Sequence, residues 1–154
     1  MYTITEIEDA IINALKASDM GGYCKKIDSY QVEATDLEEQ VRIFAGQLPC
    51  ALVVYGGTPE FIHSISGVQD MPMTFSILLC AQSLRGKGEA RRGPSAGSGL
   101  GTYQMIDDLR KTLTNNPVGL NIDPLLPTKV EAEINTKNFS AYSMEFKTSC
   151  RFTL

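Results

Sequence analysis

Hydrophobic and polar residues alternate along several stretches of this chain. From Pro72 to Gln82, Met73, Phe75, Ile77, Leu79 and Ala81 interleave with Thr74, Ser76, Leu78, Cys80 and Gln82. Side chains on a strand point to opposite faces in turn, so a period of two predicts a strand. Leu78 and Cys80 on its second face make it a central one, and Pro72 is expected at its start, where a missing N–H costs least. Near the end of the chain, Tyr142, Met144, Phe146, Thr148, Cys150, Phe152 and Leu154 alternate with Ser143, Glu145, Lys147, Ser149 and Arg151. Just before it, Val130, Ala132 and Ile134 alternate with Lys129, Glu131 and Glu133, which predicts a half-buried strand with one charged face. The turn-like residues Asn135 to Asn138 join the last two strands into an antiparallel hairpin.

Helical spacing appears three times. Ile4, Ile7, Ile11, Ala14 and Leu15 form one apolar stripe over Thr3 to Ala17, Thr3 and Glu6 make a capping-box pattern, and Gly21-Gly22 is expected to end the helix. A second helix is predicted from Asp36, with Glu39 three residues on, Leu37, Val41 and Phe44 as its buried face, and Gly46 and Pro49 as its stop. The third runs through Tyr103, Ile106, Leu109 and Leu113 until Pro117 and Gly119 break it. Between these, Tyr23 to Ala34 holds a weaker strand pattern. Ala51 to Tyr55 reads as a buried strand, and Thr58 to Met71 as a loop with a short strand at Phe61 to Ile65. Val118 to Ile122 reads as a short strand and Pro124 to Pro127 as a loop. Residues 1–154 thus predict a single domain of mixed α+β class, about three α-helices packed on one face of a largely antiparallel β-sheet.

The stretch Leu84 to Gly101 breaks the periodicity. It carries six of the thirteen glycines and the basic residues Arg85, Lys87, Arg91 and Arg92. A loop of that length inside a compact domain is usually functional or disordered. Ordering Leu84 to Leu100 would cost on the order of 20–30 kcal/mol at ~1–2 kcal/mol per residue, and its few apolar groups cannot supply that. The loop is therefore expected to be flexible in the isolated chain and to order only against a large partner surface.

Composition narrows the function. Hydrophobic content of 43% and charged content of 21% are those of an ordinary globular protein, and scaling buries about two-thirds of the unfolded surface, enough for a core without disulfides or metals. A net charge of −4 does not suit a dedicated nucleic-acid binder. No apolar stretch approaches the ~20 residues that span a membrane, and Met1 to Ala17 has neither the basic start nor the apolar run of a secretory signal. Cys24, Cys50, Cys80 and Cys150 lack zinc-type spacing, so packed reduced thiols are expected, Cys80 and Cys150 within strands.

Nothing assembles into a catalytic constellation, and no enzyme activity or cofactor is expected. His63 is the one histidine and reads as a polar loop side chain; the G-x-S-x-G elbow is absent. Asp107 and Asp108, adjacent on a helix, point about 100° apart and cannot converge on one ligand. Glu131 with Glu133, and Glu145 with Lys147, describe solvated sheet faces. Gly97 to Gly101 precedes a helix and invites an anion-binding reading, yet it is G-x-G-x-G, without the Rossmann or Walker spacing.

Leu48-Pro49-Cys50-Ala51-Leu52-Val53-Val54-Tyr55-Gly56-Gly57, the Arg85-Gly86 to Arg92-Gly93 loop and Gly101-Thr102-Tyr103-Gln104-Met105-Ile106-Asp107-Asp108-Leu109 together resemble the small Mu-like prophage tail proteins, of the tail-terminator or tail-completion class. The resemblance runs over most of the chain. It implies a structural protein of the virion tail, made in the host cytoplasm and assembled into a hexameric ring. That ring caps the tail tube and meets the neck or connector proteins. It also implies that Arg85, Gly86, Lys87, Arg91, Arg92 and Gly93 form a partner-binding loop. Two other readings remain open: a neck or tail-completion component that contacts DNA through the basic loop, and a small nucleotide- or anion-binding protein using Gly97 to Gly101.

Overall fold

The computed structural model describes residues 2–30, 39, 45–64, 66–82, 89–92, 101–136 and 138–153. Its strands are β1 (Lys26–Ser29), β2 (Cys50–Gly57), β3 (Ile62–His63), β4 (Val68–Gln82), β5 (Leu126–Asn135) and β6 (Phe139–Thr153). Its helices are α1 (Ile4–Lys16), α2 (Asp19–Tyr23), the single turn α3 (Glu89–Arg92) and α4 (Thr102–Leu113), with a 3-10 turn at Ala45–Gln47. The α+β class read from the sequence is the class observed.

The two long alternating patterns become β4 and β6, which pair antiparallel from Val68 opposite Thr153 to Gln82 opposite Phe139 without a register shift. The sheet order is β1-β2-β4-β6-β5, and β3 adds to the early part of β4. Only the β1–β2 pair is parallel; the others are antiparallel. A strand with period two sends every second side chain to each face. Phe75, Ile77, Leu79, Met144 and Phe146 therefore share one face, where they meet Ile7, Ile11 and Leu15 of α1, Met20 of α2, and Met105, Leu109 and Leu113 of α4. Each such side chain, fully buried, contributes roughly 1.5–3 kcal/mol. Leu48, Cys50, Leu52, Leu78, Cys80, Phe139 and Ala141 form a smaller cluster on the second face. β2 is apolar on both faces over Cys50 to Val53 for this reason.

α1 starts where the capping box places it. Thr3 Oγ1 accepts from the Glu6 N–H at 3.1 Å, and Glu6 Oε2 accepts from the Thr3 N–H at 2.6 Å. That contact holds the Glu6 carboxyl below its usual range. The helix spans Ile4–Lys16 with caps at Thr3 and Ala17, as read from the sequence, but the glycine pair is not what ends it. Ser18 caps a new helix by accepting from the Met20 N–H, and Gly21 and Gly22 lie inside α2. A Cβ at Gly21 would collide with the Lys16 carbonyl oxygen, so this glycine serves a close approach of α2 to the end of α1. Of the helix predicted from Asp36, only Glu39 is described; Leu37, Val41 and Phe44 lie outside the described residues.

Four other expectations are corrected. β4 starts at Val68, so Pro72 sits inside the strand, at positions which neither β2 nor β3 pairs and where a missing donor is tolerated. Val118 to Ile122 is not a strand. Asn116 Nδ2 donates to the Thr112 carbonyl at 2.8 Å while Asn116 Oδ1 accepts from the Val118 N–H at 2.8 Å, and Val118 is held at φ 50°. Local side-chain bonds to backbone thus compete successfully with strand geometry. The segment read as a loop at 124–127 gives way to β5 from Leu126 onward. Finally, β5 is not half-buried. Every position is exposed except Ile134, which is intermediate; the described helices pack mainly against β1, β2, β4 and β6.

At the far end of the β4–β6 ladder, Asp70 stands opposite Arg151. Arg151 Nε donates to Asp70 Oδ1 at 2.7 Å and Nη2 to Oδ2 at 3.2 Å, a bidentate pair that holds the Asp70 carboxyl below its usual range.

Two predictions follow from this packing. Phe146→Ala, at a fully buried site, is expected to cost about 3–5 kcal/mol, while Val130→Thr on the exposed strand should stay within about 0.5 kcal/mol; urea denaturation compares them. A lowered carboxylate stabilises the fold above its unfolded pKa and loses that contribution as pH falls through its folded pKa. The stability difference between wild type and Asp70→Asn should therefore be constant near neutrality and shrink below the ordinary aspartate value of 3.8, as read from urea midpoints across pH.

Candidate functional site

The register of β5 against β6 sets Lys129 opposite Glu145 and Glu131 opposite Ser143, all on the second face of the sheet. Beside them lie Tyr30, Val54, Ser76 and Leu78 from β4, β2 and the residue after β1. The result is a groove of about 320 Å³ with an apolar floor and an acidic wall. Lys129 Nζ lies 3.3 Å from Glu131 Oε1 and 4.0 Å from Glu145 Oε2. Ser143 Oγ donates to Glu133 Oε1 at 2.8 Å, and Thr128 Oγ1 donates to Glu145 Oε1 at 2.8 Å. Three carboxylates (Glu131, Glu133, Glu145) against one ammonium (Lys129) leave the wall at a net −2. These exposed pairs stabilise the fold little. Their effect is on what can enter the groove.

The outer rim of the groove is β5 itself. Register shifts at Pro127/Lys129 and Ala132/Ile134 twist its backbone away from regular pairing, and Pro127 and Lys129 sit at the edge. These are the devices by which sheet edges resist adding a further strand. The faces of β5, not its backbone edge, are thus its open surfaces. On the helix side, Val130 is 44% exposed, and Tyr103 of α4 meets Tyr142 edge-on with ring centroids 5.9 Å apart.

Of the residues singled out from the sequence, Arg91 and Arg92 lie on α3. The stretch expected to lack structure of its own is helical over Glu89–Arg92, with Ala90 fully buried against the domain. α3 packs on α4, β4 and β6, and α4 buries its own residues in the core of the first face. The two arginines are therefore anchored on the helix side, away from the acidic groove. Arg92 is exposed; Arg91 is partly buried, and its Nε has no hydrogen-bond partner among the described residues. Arg85, Gly86, Lys87 and Gly93 lie outside the described residues, as does the expected flexibility of the rest of 84–100.

The other candidates resolve into structural parts. Asp107 pairs with Arg110 at 3.3 Å. Asp108 instead accepts from Tyr23 Oη at 2.7 Å and from Gln104 Nε2 at 2.9 Å, so the two aspartates diverge. Burial first, then the bond to Asp108, raises the Tyr23 phenol above its usual range. His63 Nδ1 faces Gln69 Nε2 at 2.6 Å on an exposed strand. Gly101 is the N-cap of α4 with no side-chain bond, and Gly97 to Leu100 lie outside the described residues. Cys50 and Cys80 face each other across β2 and β4, both buried and free. A hydrogen bond to Cys50 and burial hold the Cys80 thiol protonated, and burial pushes Cys24 up to about 12. Among the described residues no three metal-ligating side chains converge, and no helix is long and apolar enough to cross a membrane.

Sequence reading gave Glu131, Glu133 and Glu145 only as solvated sheet faces. Their convergence depends on the β5–β6 register, and no spacing along the chain announces it.

The family model described as Bacteriophage Mu, Gp37 matches residues 3–151, from the capping box of α1 to the Arg151 clamp. No match was found among curated proteins. With a match over nearly the whole of its length, the chain belongs to the bacteriophage Mu Gp37 family.

Proposed function

We propose that this protein is a tail terminator: a hexameric ring that caps the tail tube and joins it to the neck. It assembles in the host cytoplasm, resides in the virion tail, and acts by docking rather than by catalysis. Membership of a bacteriophage Mu family supports a role in the phage particle. The observation that carries the docking role is β5. Nearly every side chain of this strand is exposed, it borders an open groove, and Leu126 and Val130 are exposed at 43% and 44%. A stable interface removes about 800 Å² from each partner, and the exposed strand with its adjoining groove is the surface such a contact would use.

The basic segment supplies the second element of the reading. Arg85, Lys87, Arg91 and Arg92 add local positive charge to a chain of net charge −4. Cationic side chains on an acidic body favour contact between unlike patches of neighbouring subunits and tube protein.

Replacing Arg85, Lys87, Arg91 and Arg92 together by Ala should leave the circular dichroism spectrum unchanged and weaken ring formation, measured by sedimentation. In a phage carrying this variant, electron microscopy should find tails of abnormal length. Tails of normal length would remove the loop from the mechanism.

A further inference from the structure

We propose that the acidic groove on the second sheet face is the receptor for the basic segment of a neighbouring copy of this chain. The inference rests on the ring reading above and specifies the contact that would build the ring.

Charge selects the occupant. The groove wall sums to −2, and residues 85–92 sum to +3 from Arg85, Lys87, Arg91 and Arg92 against Glu89. The same sign excludes phosphates: a nucleotide or a DNA backbone would meet Glu131, Glu133 and Glu145 at close range. Shape agrees with charge. Arginine presents a planar fork that bonds carboxylates two at a time, while its methylene stem covers apolar surface. Val54 and Leu78 offer that surface beneath the acidic wall, and Tyr30 offers an aromatic ring on which a guanidinium can lie.

For the described part of the segment, geometry points to an intermolecular contact. α3 anchors Arg91 and Arg92 on α4, the helix that covers the first face, while the groove opens on the second. The turn that carries Arg91 and Arg92 and the groove are thus different patches of the molecule. A contact between unlike patches is heterologous: each subunit gives its segment to one neighbour and receives one from the other, and the series closes into a ring when the rotation permits. The bulged, proline- and lysine-bearing edge of β5 agrees, since it discourages the competing mode in which two copies join by simple strand addition.

The test uses charge reversal on the full chain. Glu131→Lys with Glu133→Lys reverses the groove, and Arg85→Glu with Arg92→Glu reverses the segment. Both glutamates and Arg92 are exposed, so folding should survive, as circular dichroism checks. If the groove variant misfolds, Glu131→Gln with Glu133→Gln replaces it and should weaken assembly by about tenfold in Kd. Native mass spectrometry should find each reversed protein monomeric under conditions where wild type forms rings. Mixing the two at equal amounts should restore rings of one-to-one composition, since every groove then meets a segment of opposite charge. Assembly of the groove-reversed protein at wild-type strength, or a mixture that stays monomeric, would overturn the groove assignment and leave the ring reading standing. A wild type that stays monomeric at all concentrations, with or without tube protein, would overturn both.

Discussion

The uninterrupted antiparallel ladder between β4 and β6 is the constraint on which the rest of the molecule depends. Fifteen positions pair in one register, from Val68 with Thr153 to Gln82 with Phe139. A slip of one residue would turn Phe75, Ile77, Phe146 and Met144 to the wrong face, so the hydrophobic pattern and the register enforce each other. That single alignment decides which side α1 and α4 cover. It also decides that Ser76, Leu78, Ser143 and Glu145 share the other side.

The helices then create an asymmetry. The described helices pack mainly on the first face of β1, β2, β4 and β6, while β5 stays exposed. β5 is held mainly by its pairing with β6, with Ile134 alone packed against the second-face cluster, and most of its side chains remain open to solvent. The second face is divided along its length: an apolar cluster around Leu52, Leu78 and Cys80, then the acidic groove. In the proposed docking role, this division of the sheet is the surface a partner would meet. α3, with Arg91 and Arg92, packs on α4 rather than lining the groove, and the proposed contact between copies rests on that separation.

Strong local patterns were legible in the amino-acid sequence. The capping box of Thr3 and Glu6 and the alternation of β4 and β6 agree with the structure, the first a local hydrogen-bond rule and the second backed by burial. The helix α4 is where it was read, but Leu109 and Leu113 are buried together with Met105, while Tyr103 is exposed. Elements decided by competition were not legible. Ser18 starts a new helix before Gly21-Gly22 can end the old one, and Asn116 closes a turn where Val118 to Ile122 suggested a strand. The exposure of β5 could not be read from its alternation, since burial depends on how far the helices reach. The family was legible from combined stretches around Cys50, the basic loop and Gly101, and the Mu Gp37 match agrees with that resemblance. The groove was invisible because its glutamates come from two strands whose register only the fold defines.

Hydrogen–deuterium exchange on wild type, compared between dilute monomer and assembled protein, tests the docking account most directly. The account predicts fast exchange at 129–133 of β5 in the monomer and strong protection there on assembly, with the centre of the β4–β6 ladder slow in both states. Assembly that protects another surface while 129–133 continue to exchange freely would contradict it.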